Sequence, residues 1–228
     1  MNLLILGATG GTGRALVEQA LELGHTVTAF ARDPSKVRTT HPNLRVMQGD
    51  ISNYSSLESA IRGQDAVLSG LGVRVKVAPL VLILILCQVI ARLAHLTGFP
   101  GSLVRIGIPI FADLVLFMRT TMLSEGTRNI VRAMEKLGVK RFVSESSLGV
   151  GDSKDQAGFF FNYVLRPVLL RNIFKDKEAQ EKVIQRSDLE WVIVRPAGLS
   201  NGPRTGVYRS GFDVKDKSIL GRISRSGG

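Results

Sequence analysis

One cysteine, Cys87, is the chain's whole complement, which excludes an intramolecular disulfide and a cysteine-built zinc cluster and suits a reducing compartment. No metal ligand set is expected. The N-terminus has no basic region ahead of an apolar run, because residues 3–6 already read as a core strand. A secretory signal is therefore not expected, and the expected location is the cytoplasm. Long blocks of like charge are missing too. Lys and Arg outnumber Asp and Glu by 30 to 19, a net charge of +11, yet they are scattered along the chain. Such scatter gives a general attraction for anions and does not point to nucleic acid. With 228 residues, 44% of them hydrophobic, and a mean hydropathy of +0.15, disorder is excluded and one large core-forming domain is expected over residues 1–228.

What is present centres on Gly7-Ala8-Thr9-Gly10-Gly11-Thr12-Gly13-Arg14. An apolar run over residues 3–6 enters it, and a helical spacing of Leu16, Ala20 and Leu23 leaves it and stops at Gly24. Strand, glycine turn and helix N-terminus in that order form a site for a pyrophosphate. Gly7 permits the tight turn, Gly10 and Gly11 let backbone N–H groups approach with Thr9 and Thr12 on either side of them, and Gly13 lets the helix pack on the sheet. The spacing is Gly-x-x-Gly-x-x-Gly, not the commoner Gly-x-Gly-x-x-Gly.

A second strand over residues 27–30 delivers Arg32 to its tip, about twenty residues past the turn, where the adenosine ribose of a dinucleotide is read. A guanidinium there can pair with a 2′-phosphate, which favours NADP(H); the other role open to Arg32 is that of a solvated surface residue. Asp33, followed by Pro34 and Ser35, reads as a helix cap. A third strand over 44–47 ends at Asp50, which can face an adenine or cap the following turn through Ser52. A helix over 54–61 and a fourth strand over 65–71, running to Gly72, continue an alternation that implies a parallel, doubly wound sheet.

The pattern then breaks. Residues 77–91 carry no formal charge, and 78–118 hold only Arg92, Arg105 and Asp113. That uncharged run is shorter than the roughly twenty residues a spanning helix needs. Gly98, Pro100 and Gly101 divide the segment, so it reads as an apolar helical insertion at about 75–119 that does not span a membrane. Membrane association and sequence foreign to the fold are the competing readings.

A helix over 121–137, stopped by Gly138, leads to a fifth strand over 141–147. Its end, Ser144-Glu145-Ser146-Ser147, lies at the crevice of a parallel sheet. Ser146 and Ser147 therefore either touch a nicotinamide or substrate or serve turn chemistry. Phe159-Phe160-Phe161 reads as core. A helix over 174–186 and a sixth strand over 190–194 follow, and the tail from Gly202 shows no closing helix.

The turn Gly7 to Gly13, the helix Ser124-Glu125-Gly126-Thr127-Arg128-Asn129-Ile130 and the strand Leu189-Glu190-Trp191-Val192-Ile193-Val194-Arg195-Pro196 resemble the atypical short-chain dehydrogenase/reductases. Within these, the similarity is to the NAD(P)H-binding group that includes flavin reductase (biliverdin reductase B) and the NmrA-like proteins. The resemblance implies an α/β fold, a Rossmann-type doubly wound parallel sheet with a shortened C-terminus. It maps the pyrophosphate turn onto Gly7, Thr9, Gly10, Gly11, Thr12 and Gly13, the 2′-phosphate reader onto Arg32 and the adenine contact onto Asp50 and Ile51. The nicotinamide side falls on Leu71, Gly72 and Arg74, and the active-site serine on Ser147. It further implies hydride transfer from NADPH to a small-molecule acceptor such as a flavin or tetrapyrrole. Two departures stand out. Tyr163 has no lysine four residues on, so the Tyr-x-x-x-Lys pair of orthodox members is not formed there. The substrate-side histidines of flavin-reductase-like members are matched by Lys177 and Gly198. Lys177 is thus a proton source, an anchor for an acidic substrate, or a solvated helix residue. The alternative to an enzyme is an NAD(P)H-binding sensor or a truncated, inactive product.

Overall fold

The computed structural model describes residues 1–72, 121–156, 171–204, 206, 208–211 and 222–226. The chain divides into two units, residues 1–72 with 121–228 and residues 73–120, and all the described residues belong to the first. Arg74, the insertion expected at 75–119, Phe159 to Phe161 and Tyr163 lie outside the described residues.

Apolar runs bounded by glycines and polar turns become the strands of one parallel sheet. They are β1 (Asn2–Leu6), β2 (Thr26–Ala31), β3 (Leu44–Gln48), β4 (Ala66–Ser69), β5 (Arg141–Glu145) and β6 (Glu190–Val194). Their spatial order is β3-β2-β1-β4-β5-β6, with every pairing parallel. That is the doubly wound order, and the sequence direction reverses between β1 and β4, opening a crevice at their carboxyl ends. The fourth and fifth strands are shorter than their apolar runs. β4 stops at Ser69, although Gly70 N–H still donates to Leu6 O of β1 at 3.0 Å. Past β5 the chain still bonds to its neighbour, Ser146 N–H donating to Val194 O at 2.7 Å and Leu148 N–H to Pro196 O at 3.0 Å.

Among the described residues four helices flank the sheet, α1 (Gly11–Glu22), α2 (Tyr54–Ile61), α3 (Met122–Leu137) and α4 (Arg171–Gln185). Alternation along β1 divides the core in two. Leu3 and Ile5 pack with Val17, Ala20 and Leu21 of α1. Leu4 and Leu6 pack with Leu57 and Ile61 of α2, Ile130 and Met134 of α3 and Ile184 of α4. Each such fully buried side chain contributes roughly 1.5–3 kcal/mol. Gly138 ends α3 in the left-handed region (φ 72°), as its position predicts. Leu23, read from its spacing as part of the apolar face of α1, is 74% exposed, because it caps the helix where the chain turns out at Gly24. A short parallel pair, β7 (Gly198–Ser200) and β8 (Arg222–Ser224), forms a second sheet.

Candidate cofactor and active site

The glycine turn sits at the topological switch point. Gly7 leaves β1 with φ +75°, and a Cβ there would stand 2.7 Å from Gly70 O at the end of β4. A Cβ on Gly13 would strike the carbonyl of Gly7, so only glycine lets α1 lie this close to the end of β1. The turn is closed by Gly10 N–H donating to Gly7 O at 2.9 Å. Helix α1 begins with no side-chain cap at Gly10 and no acidic residue in its first turn. The first N–H groups of a helix have no intrahelical partner, and the axis presents its positive end there. A bare, uncapped helix start behind a glycine cradle fits a pyrophosphate. Thr9, Gly10 and Thr12 are half-buried in this turn, and Gly11 is exposed.

The ribose side is assembled by β2 and β3. Arg32 is exposed at the end of β2, and its carbonyl accepts from Gln48 Nε2 at 3.4 Å. Asp33 plays the capping role, accepting from Ser35 N at 3.2 Å and Ser35 Oγ at 2.6 Å. The Lys36 ammonium at 2.8 Å and the Ser35 hydroxyl bring its carboxyl down to about 2. Asp50 caps its turn through Ser52, accepting from the backbone N–H at 2.8 Å and the hydroxyl at 2.7 Å. The Ser52 backbone N–H, then its hydroxyl and the charge of Arg32 hold the Asp50 carboxyl below its ordinary value. Arg32 and Asp50 thus face one corner. Ile51 is fixed beside them, its carbonyl accepting from Asn129 Nδ2 at 3.1 Å. Leu71 packs on the larger core cluster and Gly72 is exposed immediately after it, both just past the Gly70 that touches the turn.

Two residues that sequence reasoning left out complete the site. Glu145, the last residue of β5, accepts a hydrogen bond from Thr12 Oγ1 at 3.3 Å. Burial raises its carboxyl above the ordinary value against the opposing pull of Thr12, Lys177 and Arg225. Lys177 on α4 is half-buried. Burial lowers its ammonium, and the charges of Glu145, Glu181 and Asp176 oppose that shift. An acid pushed up and an amine pushed down at the carboxyl end of the sheet form a pair suited to holding and moving a proton. Ser147 lies two residues beyond Glu145, half-buried, and its carbonyl accepts from Val150 N–H at 3.2 Å. The signal for Glu145 was a carboxylate at the carboxyl end of a parallel strand. The other residue is Arg225, which lies against Gly11 and carries no local signal at all.

Helix α4 is locked by polar side chains that face inward. Asp176 accepts from the N–H groups of Leu123 and Ser124 at 3.0 Å each, capping α3 from outside. Gln180 Nε2 donates to Thr127 Oγ1 at 3.2 Å. Glu181, 2% exposed, pairs with Arg195 through Nε at 3.1 Å and Nη2 at 2.8 Å, and Arg195 also bonds Asp152. A recess of about 400 Å³ near Met1, Asp65, Lys140 and Glu190 lies at the amino ends of the strands, away from these groups. Among the described residues no helix is long and apolar enough to cross a membrane, and no group of His, Cys, Asp and Glu could hold a metal ion.

The chain is 30% identical over 229 residues to an uncharacterized chloroplastic protein of Arabidopsis thaliana, covering 97% of this chain and 66% of that one. It is 24% identical over 203 residues to a photosystem II assembly factor of Synechocystis, covering 89% and 46%. It is 29% identical over 147 residues to a 3-beta-hydroxysteroid dehydrogenase of Mycolicibacterium neoaurum, covering 64% and 32%. The chain therefore spans less than two thirds of the length of each of these relatives. Among solved structures it is similar to the anaerobillin reductase ChuY of Escherichia coli, with a TM-score of 0.65 at 20% identity over 99% of this chain and 85% of that one. A short-chain dehydrogenase/reductase of Veillonella parvula in complex with NADP gives a TM-score of 0.65 at 16% identity, over 99% and 82%. These likenesses show the fold. A family model described as NAD(P)H-binding matches residues 7–226, and with a switch-point glycine cradle in place, the chain belongs to the NAD(P)H-binding family.

Proposed function

We propose that this chain is an NADPH-dependent reductase acting on a planar, conjugated small molecule of the flavin or tetrapyrrole class. The observation that carries the reading is the pair Glu145 and Lys177, an inward-facing acid and amine at the carboxyl end of β5 beside Thr12 of the glycine turn. Bound NADPH supplies the hydride. Gly7, Thr9, Gly10, Gly11, Thr12 and Gly13 cradle the pyrophosphate, Arg32 takes the 2′-phosphate, and Asp50 and Ile51 border the adenine. Leu71 and Gly72 flank the nicotinamide, and Arg74, which the resemblance assigns to the same side, lies outside the described residues. Ser147 orients the reacting ring through its hydroxyl, and Lys177 holds at Nζ the proton that completes the reduction, with Glu145 beside it to restore that proton. A reducing compartment suits this chemistry and the single cysteine, the cytoplasm being the expected one.

A second reading, an NAD(P)H-binding sensor without turnover, is favoured by Ile173. It stands four residues before Lys177 on α4, so no phenol lies one helical turn from the amine. Single-turnover oxidation of bound NADPH by added flavin, followed by the loss of reduced-nicotinamide absorbance, decides between them. The reductase reading expects slow turnover, lowered by Ser147→Ala and Lys177→Gln with cofactor affinity unchanged. Absence of turnover in the parent, with cofactor bound, supports the sensor.

A further inference from the structure

Arg225 follows β8 and is held at both ends. Its backbone N–H donates to Ser200 O at 3.1 Å, and its guanidinium Nη1 donates to Asn201 Oδ1 at 2.5 Å. Between those anchors the side chain crosses the start of α1. A Cβ built on Gly11 would stand 2.8 Å from Arg225 Cδ and 2.9 Å from its Nε. Glycine at position 11 is thus what gives the guanidinium room, more than two hundred residues along the chain from the turn it covers.

A cation brought to the positive end of a helix is unfavourable unless an anion lies between them. The helix supplies none, since α1 has neither a side-chain cap nor an acidic residue in its first turn. The carboxylate facing this corner is Glu145 of β5, already bonded to Thr12 and shared with Lys177 of α4. Two sources of positive potential converge on the glycine turn, from the helix start on one side and the guanidinium on the other.

We propose that Arg225 is a cofactor-binding residue that closes over the pyrophosphate, so that the phosphates lie between its guanidinium and the N–H groups at the start of α1. The assignment rests on the reading of the glycine turn as the pyrophosphate site. A planar guanidinium suits two phosphate oxygens at once, which a lysine in its place does not reproduce. The contact is to the part that NADPH and NADH share, so Arg225 sets affinity for both and discriminates between neither.

Calorimetric titration of NADPH, NADH and adenosine 2′-monophosphate, which lacks the pyrophosphate, into parent, Arg225→Ala, Arg225→Lys and Arg32→Ala tests this. Arg225→Ala is expected to weaken both dinucleotides equally, by about ten- to a hundred-fold, and to leave the monophosphate unchanged. Arg225→Lys recovers part of the loss, whereas Arg32→Ala affects NADPH and the monophosphate but not NADH. Dinucleotide affinity equal to the parent's in Arg225→Ala overturns the proposal, and tighter binding overturns it in favour of a side chain that plugs the site. If Arg225→Ala lacks a cooperative melt, Asn201→Ala, which releases the guanidinium, must show the same shared loss in smaller measure. A parent that takes neither dinucleotide defeats the site reading as well, whereas a parent that binds both with Arg225→Ala unaffected defeats this proposal alone.

Discussion

Glu145 Oε1 accepts its hydrogen bond from Thr12 Oγ1 at 3.3 Å, which ties the end of the fifth strand to the first turn of the first helix. The bond puts an ionisable group within reach of the glycine turn. It also makes the protonation of Glu145 and Lys177 a property of the assembled site.

The first expected outcome concerns that pair. Lys177 lies below the usual 10.5 because it is buried, and the Glu145 carboxylate works against the shift. Glu145→Gln removes that carboxylate and should push the amine lower still. A proton donor is competent below its pKa, so turnover falls as pH rises through the Lys177 value, and in Glu145→Gln this limb moves to lower pH. For stability the sign runs through Glu145, whose carboxyl is raised above 4.5. Its favourable contribution is full below 4.5 and is lost as pH rises through the folded value. Nitrogen-detected titration of the lysine and a pH–rate profile measure both effects. A Lys177 titration that does not move in Glu145→Gln would separate the two groups.

Cofactor choice should rest on Arg32. The parent is expected to bind NADPH more tightly than NADH, and Arg32→Ala to weaken NADPH by about ten- to a hundred-fold, one charge-assisted contact, with NADH barely changed. Asp33 is not the competing reader of a ribose hydroxyl, since its carboxylate is taken up by Ser35 and Lys36. Titration of both cofactors into parent and variant checks this, and equal loss of both cofactors would return Arg32 to a surface role.

Alanine at two buried glycines should separate backbone crowding from side-chain crowding. At Gly13 the new methyl meets the Gly7 carbonyl, part of a turn that cannot yield, and a loss above about 3 kcal/mol is expected together with cofactor binding. At Gly126 it meets Ile51 Cδ1 at 2.5 Å, the far end of a side chain that can rotate away. The cost there should be nearer 1 kcal/mol. Urea midpoints order the two, and a reversed order contradicts the packing described.

Arg195→Ala should be among the most damaging substitutions remote from the cofactor. It leaves the Glu181 carboxylate, 2% exposed, without its bidentate partner, and uncompensated buried charges cost about 3–5 kcal/mol. The double variant Arg195→Met with Glu181→Leu removes both charges and should recover much of that loss in a urea melt. If the double variant is no more stable than Arg195→Ala, the buried charge is not the cause.

The strands and the glycine turn were legible because parallel strands covered on both faces are near-continuous apolar runs, as at Leu3 to Leu6 and Val27 to Ala31. Glycines at turns that need them are equally plain. The caps at Asp33, Asp50 and Gly138 were legible for the same local reason. Helix α4 was not. Asp176, Gln180 and Glu181 are buried, yet each has a polar side chain that pattern reading assigns to solvent, and their partners lie on other elements. Lys177 was accordingly open between two roles, because the charges around it come from other elements as well as its own. Glu145 was passed over for the serines beside it. Arg225 meets Gly11 through folding alone, a proximity that spacing along the chain does not encode.

Those three inward polar residues of α4 have a consequence for how this site can change over time. Asp176, Gln180 and Glu181 engage α3 at its start, α3 along its length and Arg195 past β6, so neither rotation nor sliding of α4 is tolerated singly by any of the three. Lys177 inherits that immobility. Mutational drift is left to exposed positions such as Lys175, Lys182 and Gln185, where changes alter the surface and not the aim of the amine. If Lys177 holds the proton as proposed, a lineage seeking a new acceptor would find that residue fixed and would have to vary the walls around it.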